Sequence, residues 1–217
     1  MQVSEGSMHT FPEFAPRRDA QVAELVRRNP FAAVISTDHG VPVATHVPVI
    51  TPPPGQLRAG GALWGHMARA NPQWQTFDPA RPVLLIFTGA HAYVSPALYQ
   101  REPAVPTWNY AAVHVTALPQ LLPQGEATMQ VLTETVQAVE ALRGTRWDMS
   151  VSLELFHHLA RGIVAFSLRV ATVQAVFKLS QDLPDELWQR VHDGFAADPA
   201  SAQVAHDMTA ARPGQTT

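Results

Sequence analysis

The stretch RPVLLIFTG (81–89), followed closely by AYVS (92–95), is the most apolar part of the chain. Short, rich in β-branched and aromatic residues and entered through a proline, it reads as the core of a barrel or sandwich. Beyond a proline-rich loop, TWNYAAVHVTAL (107–118) alternates as a half-buried strand does. Upstream, FAAVIST (31–37), the turn DHG and VPVATHVPVI (41–50) read as a hairpin, and ALWGH (62–66) as a further strand running into a short helix, ARANPQW. Nineteen prolines and twelve glycines, concentrated at TPPPG (51–55), 96–106 and 118–123, cut the chain into such short segments.

Helices are the minority. Asp19 is placed to cap a first helix carrying Val22, Leu25 and Val26, which Pro30 ends. Met129, Leu132, Val136, Val139 and Leu142 mark one face of a helix from about 126 to 142, and a second helical piece covers 152–161. IVAFSLRV and TVQAVFKLS (163–180) read as a final strand pair, and LPDELWQRVHDGF (183–195) as a helix with Pro184 in its first turn. The pattern predicts a mainly β chain with peripheral helices (α+β): a single β-barrel-like domain over 8–196 with a helical insertion at about 126–161. Residues 1–7 read as an N-terminal extension and 197–217 as a surface helix or tail.

The composition narrows the function. Among 217 residues there is no cysteine, which excludes thiolate metal sites and thiol catalysis and leaves redox work to a bound cofactor. The net charge of −3 lacks the basic surplus of a phosphate-backbone binder, so direct DNA binding is disfavoured. Only 15% of residues are charged against 46% hydrophobic, which points to surface covered by subunit contact. No apolar run is long enough to span a membrane and the start lacks signal-peptide character, so the expected location is cytoplasmic.

Dinucleotide, P-loop, nucleophile-elbow, zinc-protease and EF-hand motifs are all missing. The ten histidines show no ligand spacing, and adjacent His157 and His158 cannot share a helix face, so no metal is expected. His46, His66 and His114 lie on separate predicted strands and could meet, although hydrogen-bonded histidines are commoner. A Ser95, His91 and Asp78 hydrolase has the residue types without the elbow. What stands out is that Trp64, Trp74, Trp108 and all three tyrosines lie between 64 and 110, a concentration suited to a planar ligand. Arg69 and Asn71 sit where a strand gives way to a helix, a place for an anion, or else are a solvated charge and a cap. Thr107, Trp108, Asn109 and Tyr110 place two side chains on each face of a strand. They offer either the hydroxyl, amide and ring cover that an isoalloxazine needs, or ordinary packing.

Taken together, GHMARANPQW (65–74), IFTGAHAYVSPALY (86–99), VPTWNYAAVHV (105–115) and KLSQ (178–181) resemble the PaiB family of FMN-binding negative transcriptional regulators. FPEF (11–14) and ATHVPV (44–49) extend the likeness from about residue 8 to 196. The resemblance implies an FMN-binding split β-barrel that dimerises with flavin at the interface. It assigns a flavin-lining strand to Thr45, His46 and Val47 and a phosphate stretch to Gly65, His66, Arg69, Ala70 and Asn71. It assigns further contacts to Thr107, Trp108, Asn109, Tyr110, Lys178 and Gln181. The sequence departs from the family at Ala90 and at Asp182, which either adds negative charge near the phosphate or caps the next helix. The expected arrangement has Asn109 on the flavin ring and Trp108 and Tyr110 packing the barrel or the dimer contact. The implied function is regulation through bound FMN, with a protein partner or DNA as the target. The rivals are an FMN-dependent oxidoreductase using NAD(P)H, with His66, His114 or Tyr110 as proton donor, and a flavin carrier without turnover.

Overall fold

The computed structural model describes residues 8–145 and 147–212. The expected extension at 1–7 lies outside the described residues, as does the end of the expected tail. Six strands, β1 (Phe31–Asp38), β2 (Val41–Ile50), β3 (Ala62–Ala68), β4 (Val83–Val94), β5 (Thr107–Leu121) and β6 (Ile163–Lys178), hydrogen-bond in the order β1-β2-β3-β6-β5-β4 as a closed barrel. The helices are α1 (Asp19–Arg28), α2 (Glu126–Arg143), α3 (Leu153–Ala160), α4 (Asp185–Ala196) and α5 (Ala202–Ala211). This is the mainly β, α+β split barrel that the sequence predicts.

The contacts define two compact units. One comprises Val26–Phe87 and His114–Val173. In it β1 and β2 pair from Phe31↔Pro48 to Asp38↔Val41 around a two-residue turn. His39 and Gly40 both have positive φ, the geometry that matches the twist of a hairpin. β3 and β6 pair so that Leu63, Gly65 and Met67 lie opposite Leu168, Phe166 and Val164, all buried. A Cβ on Gly65 would stand 2.6 Å from Phe166 Cε2, so only glycine leaves room for that ring, which itself meets Phe77 edge-on at 5.1 Å. α2 packs on β2 and β3. Its buried side chains are Thr128, Val131, Leu132 and Thr135, while Met129 and Val136 of the expected stripe are only half-buried. The threonine hydroxyls donate to Pro123 O at 3.0 Å and Val131 O at 2.7 Å, so threonine enters an apolar face without an orphaned group.

The second unit comprises Thr88–Val113 with the described residues up to Leu25 and from Gln174 onward. Val94, Tyr99 and Leu179 form one core with Leu187, Trp188, Val191 and Phe195 of α4 and Val204, Ala205, Met208 and Ala211 of α5. Of the helix or tail expected after residue 196, Ala202–Ala211 is a helix, and one side of it is packed in this core. Two expectations are corrected. Segment 163–180 is one sixteen-residue strand, β6, followed by two residues, because no glycine or proline permits a turn inside it. The helix expected at ARANPQW is a 3-10 turn, Pro72–Thr76, and β3 continues to Ala68.

Two histidines register the burial. His66 in β3 has Nδ1 enclosed with no hydrogen-bond partner, and burial lowers its pKa; burial likewise lowers that of His114 in β5. Burial favours the neutral form of both in the fold, while the unfolded chain takes up their protons near the ordinary value of about 6.5. Their contribution to stability is complete above that pH and is lost as pH falls below it toward the lower folded values. Thermal unfolding followed from pH 7.5 to pH 5 should show a falling Tm, with a shallower fall in His66→Gln.

Candidate functional site

In the first unit, the segment after β3 is tied back to the β1–β2 hairpin. Gln73 is buried and its Nε2 donates to Val34 O at 2.9 Å, Ser36 Oγ at 3.1 Å and Val43 O at 3.1 Å. Asn71 caps the 3-10 turn, its Oδ1 accepting from Gln73 N at 2.9 Å, while its Nδ2 donates to Thr45 Oγ1 at 2.8 Å. This joins two of the predicted site residues directly, Thr45 of the expected flavin strand and Asn71. It also commits the Asn71 amide at both ends. The free N–H groups expected at a helix start are taken up as well. Pro72 has none, Gln73 N bonds Asn71, Asn71 N donates to Ala68 O at 3.0 Å, and Arg69 N donates to Gly162 O at 2.7 Å.

Arg69 reaches across to the turn between α3 and β6. Its Nε donates to Arg161 O at 3.1 Å and its Nη2 to Ile163 O at 3.0 Å. Trp74 Nε1 donates to Arg69 O at 3.0 Å, and its ring lies 5.9 Å below the guanidinium. These bonds leave Nη1 for an outside anion, on a side chain that is exposed. Ala70 is exposed beside it; Gly65 and Val47 are buried; His46 is exposed, its ring 5.8 Å from Phe31.

In the second unit, Lys178 Nζ donates to Thr107 Oγ1 and lies 5.9 Å from the Phe14 ring. Gln181 closes on its own turn, its Oε1 accepting from Leu179 N at 2.6 Å and its Nε2 donating to Phe177 O. The expected place of Asn109 in β5 is corrected. Asn109 is completely buried, exchanging hydrogen bonds with Ser180 Oγ at 2.9 and 3.0 Å and touching Met208 Sδ at 3.5 Å. Trp108 is 53% exposed. Asn109 is therefore inside the core and not on a ligand face, because a serine 71 positions away satisfies its amide, while the exposed Trp108 has the place a dimer contact needs and is not barrel core. Tyr110 is half-buried against the Phe14, Ala112 and Val176 cluster.

Around Trp108 the structure gathers two residues that the flavin assignment did not include. Tyr93, 49% exposed, stands edge-on to Trp108 at 5.7 Å, and His91 lies 6.2 Å away. The signal was the alternation in GAHAYV, which puts 91 and 93 on one face of β4. Ser95 Oγ accepts from Ala97 N at 3.3 Å and His91 Nδ1 faces Gly89 O at 3.4 Å, so this serine and histidine do not form a nucleophile–base pair. Asp182 does not cap α4, whose N-cap position is Pro184; its charge, after burial, raises the Tyr99 phenol. Among the described residues no three His, Asp or Glu side chains are grouped to hold a metal ion.

Residues 8–172 match the family model described as "Putative FMN-binding domain". The chain belongs to this PaiB-type FMN-binding family. It is 37% identical over 194 residues to "Protease synthase and sporulation protein PAI 2" of Bacillus subtilis, a match covering 87% of this chain and 90% of that protein. The fold is shared with the flavocytochrome Anf3 of Azotobacter vinelandii, at TM-score 0.55 and 14% identity over 81% of this chain and 74% of that one. It is shared also with a conserved hypothetical protein of Mycobacterium tuberculosis, at TM-score 0.58 and 10% identity over 82% and 94%.

The burial of Asn109 and the exposure of Trp108 make a prediction about the protein without ligand. Asn109→Ala should lower its unfolding free energy by about 1–3 kcal/mol, because the Ser180 hydroxyl is then buried unpaired. Trp108→Ala should change it by less than about 1 kcal/mol, as an exposed side chain has little packing to lose. Urea unfolding of both variants checks the order; a larger loss in Trp108→Ala would put Trp108, and not Asn109, in the core.

Proposed function

We propose that the protein is an FMN-binding regulatory protein that works as a homodimer and acts through the bound flavin. The match of residues 8–172 to an FMN-binding family carries this reading, and the sporulation-protein relative supports the regulatory part. The residues fit a flavin phosphate at one point in particular. Arg69 is held by two main-chain carbonyls and by Trp74, so its remaining N–H groups are pre-aimed, and a charge-assisted bond to phosphate loses little side-chain freedom on forming. Thr45 is the member of β2 whose orientation Asn71 fixes. Of the residues assigned in the other unit, Thr107, Trp108 and Lys178 present surface, whereas Asn109 serves the fold.

FMN, when bound, supplies reversible electron and hydride chemistry. The chain supplies the grip on its phosphate and a fixed strand beside it. Regulation through a partner fits better than direct DNA contact, since the net charge of −3 leaves no basic surplus for a phosphate backbone. Dimerisation follows from the low charge content together with exposed Phe31, Tyr93 and Trp108.

The test compares FMN with riboflavin, which lacks the phosphate. Arg69→Ala should weaken FMN binding by about 1.5–3 kcal/mol, the loss of one charge-assisted contact, and leave riboflavin nearly unchanged. Equal weakening of both would mean that Arg69 acts by holding the α3–β6 turn. Steady oxidation of NAD(P)H by the flavin-loaded protein would favour the oxidoreductase reading instead.

A further inference from the structure

The turn between α3 and β6 presents three successive carbonyl groups, and one residue donates to all three. Arg69 N donates to Gly162 O at 2.7 Å, Nε to Arg161 O at 3.1 Å and Nη2 to Ile163 O at 3.0 Å. The planar guanidinium makes this possible because its donors are fixed relative to one another. Its charge also lies at the C-terminal end of α3, where the helix dipole is negative. The inward face of the helix is thin. Of its eight residues only Ala160 is buried, and Phe156, one turn earlier, is half-buried; Leu155, His157, His158 and Leu159 are exposed. An element with so few buried apolar contacts opens at a lower cost than the barrel, so the bonds from Arg69 matter to whether α3 stays closed.

We propose that Arg69 couples the flavin-phosphate site to α3: an anion on its guanidinium keeps the α3–β6 turn closed, and an open turn weakens the grip on that anion. The coupling rests on the reading of Arg69 as the phosphate residue and adds how occupancy of that site reaches the protein surface. With Nε and Nη2 on two carbonyls and the Trp74 ring 5.9 Å from the guanidinium, Nη1 is held in one direction. When the turn opens, the side chain regains its rotamers, and an anion must order it again, which lowers affinity. A ligand that binds the closed form better shifts the equilibrium toward that form, and loosening the turn weakens the ligand by the same factor. Gln124 Nε2 shares the Ile163 carbonyl at 2.7 Å. That bond holds the β6 side of the turn, whereas the bond from Arg69 to Arg161 O holds the helix side.

Hydrogen exchange of the full chain, read on peptides spanning 153–163, tests the coupling with FMN and with riboflavin, each at saturating concentration. FMN should slow exchange there about tenfold, the worth of one charge-assisted contact made only in the closed turn, and riboflavin by less than about twofold. The reciprocal variant is Leu159→Pro, at an exposed position, which breaks the last turn of α3. It should weaken FMN about tenfold and leave riboflavin unchanged. The exchange measurement on the parent needs no variant, so it decides the matter even where Leu159→Pro fails to fold. FMN that elutes with the parent on gel filtration without slowing exchange at 153–163 would overturn the coupling and leave the flavin reading standing. So would riboflavin that slows it as much, or undiminished FMN affinity in a folded Leu159→Pro. A parent that retains neither flavin overturns both.

Discussion

The buried amide of Gln73, donating to two carbonyls and a hydroxyl of the β1–β2 hairpin, fixes where the chain goes after β3. An amide N–H group taken out of water must recover its hydrogen bonds inside the protein, and Gln73 Nε2 finds its acceptors on that hairpin, while Oε1 is enclosed without a partner. The 3-10 turn at Pro72–Thr76 is therefore stitched to β1 and β2, and Asn71, at its cap, reaches Thr45. Arg69, two residues earlier, is pinned to the carbonyls of Arg161 and Ile163. A polar segment that could have been a loose loop thus becomes a fixed edge with one arginine facing out.

The same physics explains what was legible in the sequence. The hairpin was readable because His39-Gly40 is a local turn and its strands alternate, and α4 because Pro184 and the spacing of Leu187, Val191 and Phe195 are local too. The continuity of β6 was not readable: Ala171 and Thr172 are both exposed in succession, which breaks the alternation in mid-strand and imitates a turn. α5 hid its buried Val204 and Met208 among alanines, and α2 used threonines on its inner face. In each case the deciding contact lies with a distant part of the chain.

The site was legible as a family pattern and less so as geometry. Thr45 is named by the resemblance, Arg69 and Asn71 also by their place after a strand, and the structure links Thr45 to Asn71 and shows Asn71 and Gln181 committed to protein partners. Asn109 shows the limit most sharply. Its residue type suits a ligand edge and a buried pair equally, and only the position of Ser180 chooses between them. Tyr93 and His91 were legible by alternation on β4, yet their meeting with Trp108 depends on β5 lying beside that strand.

The central claim is that this chain holds a flavin. The most direct measurement is to incubate the purified protein with excess FMN, remove the unbound ligand by gel filtration and record the absorption spectrum of the protein peak. The account predicts the two visible and near-ultraviolet bands of an oxidised flavin, in near-equimolar amount with the chain. A colourless protein peak, with all the flavin eluting free from a folded protein, would contradict it.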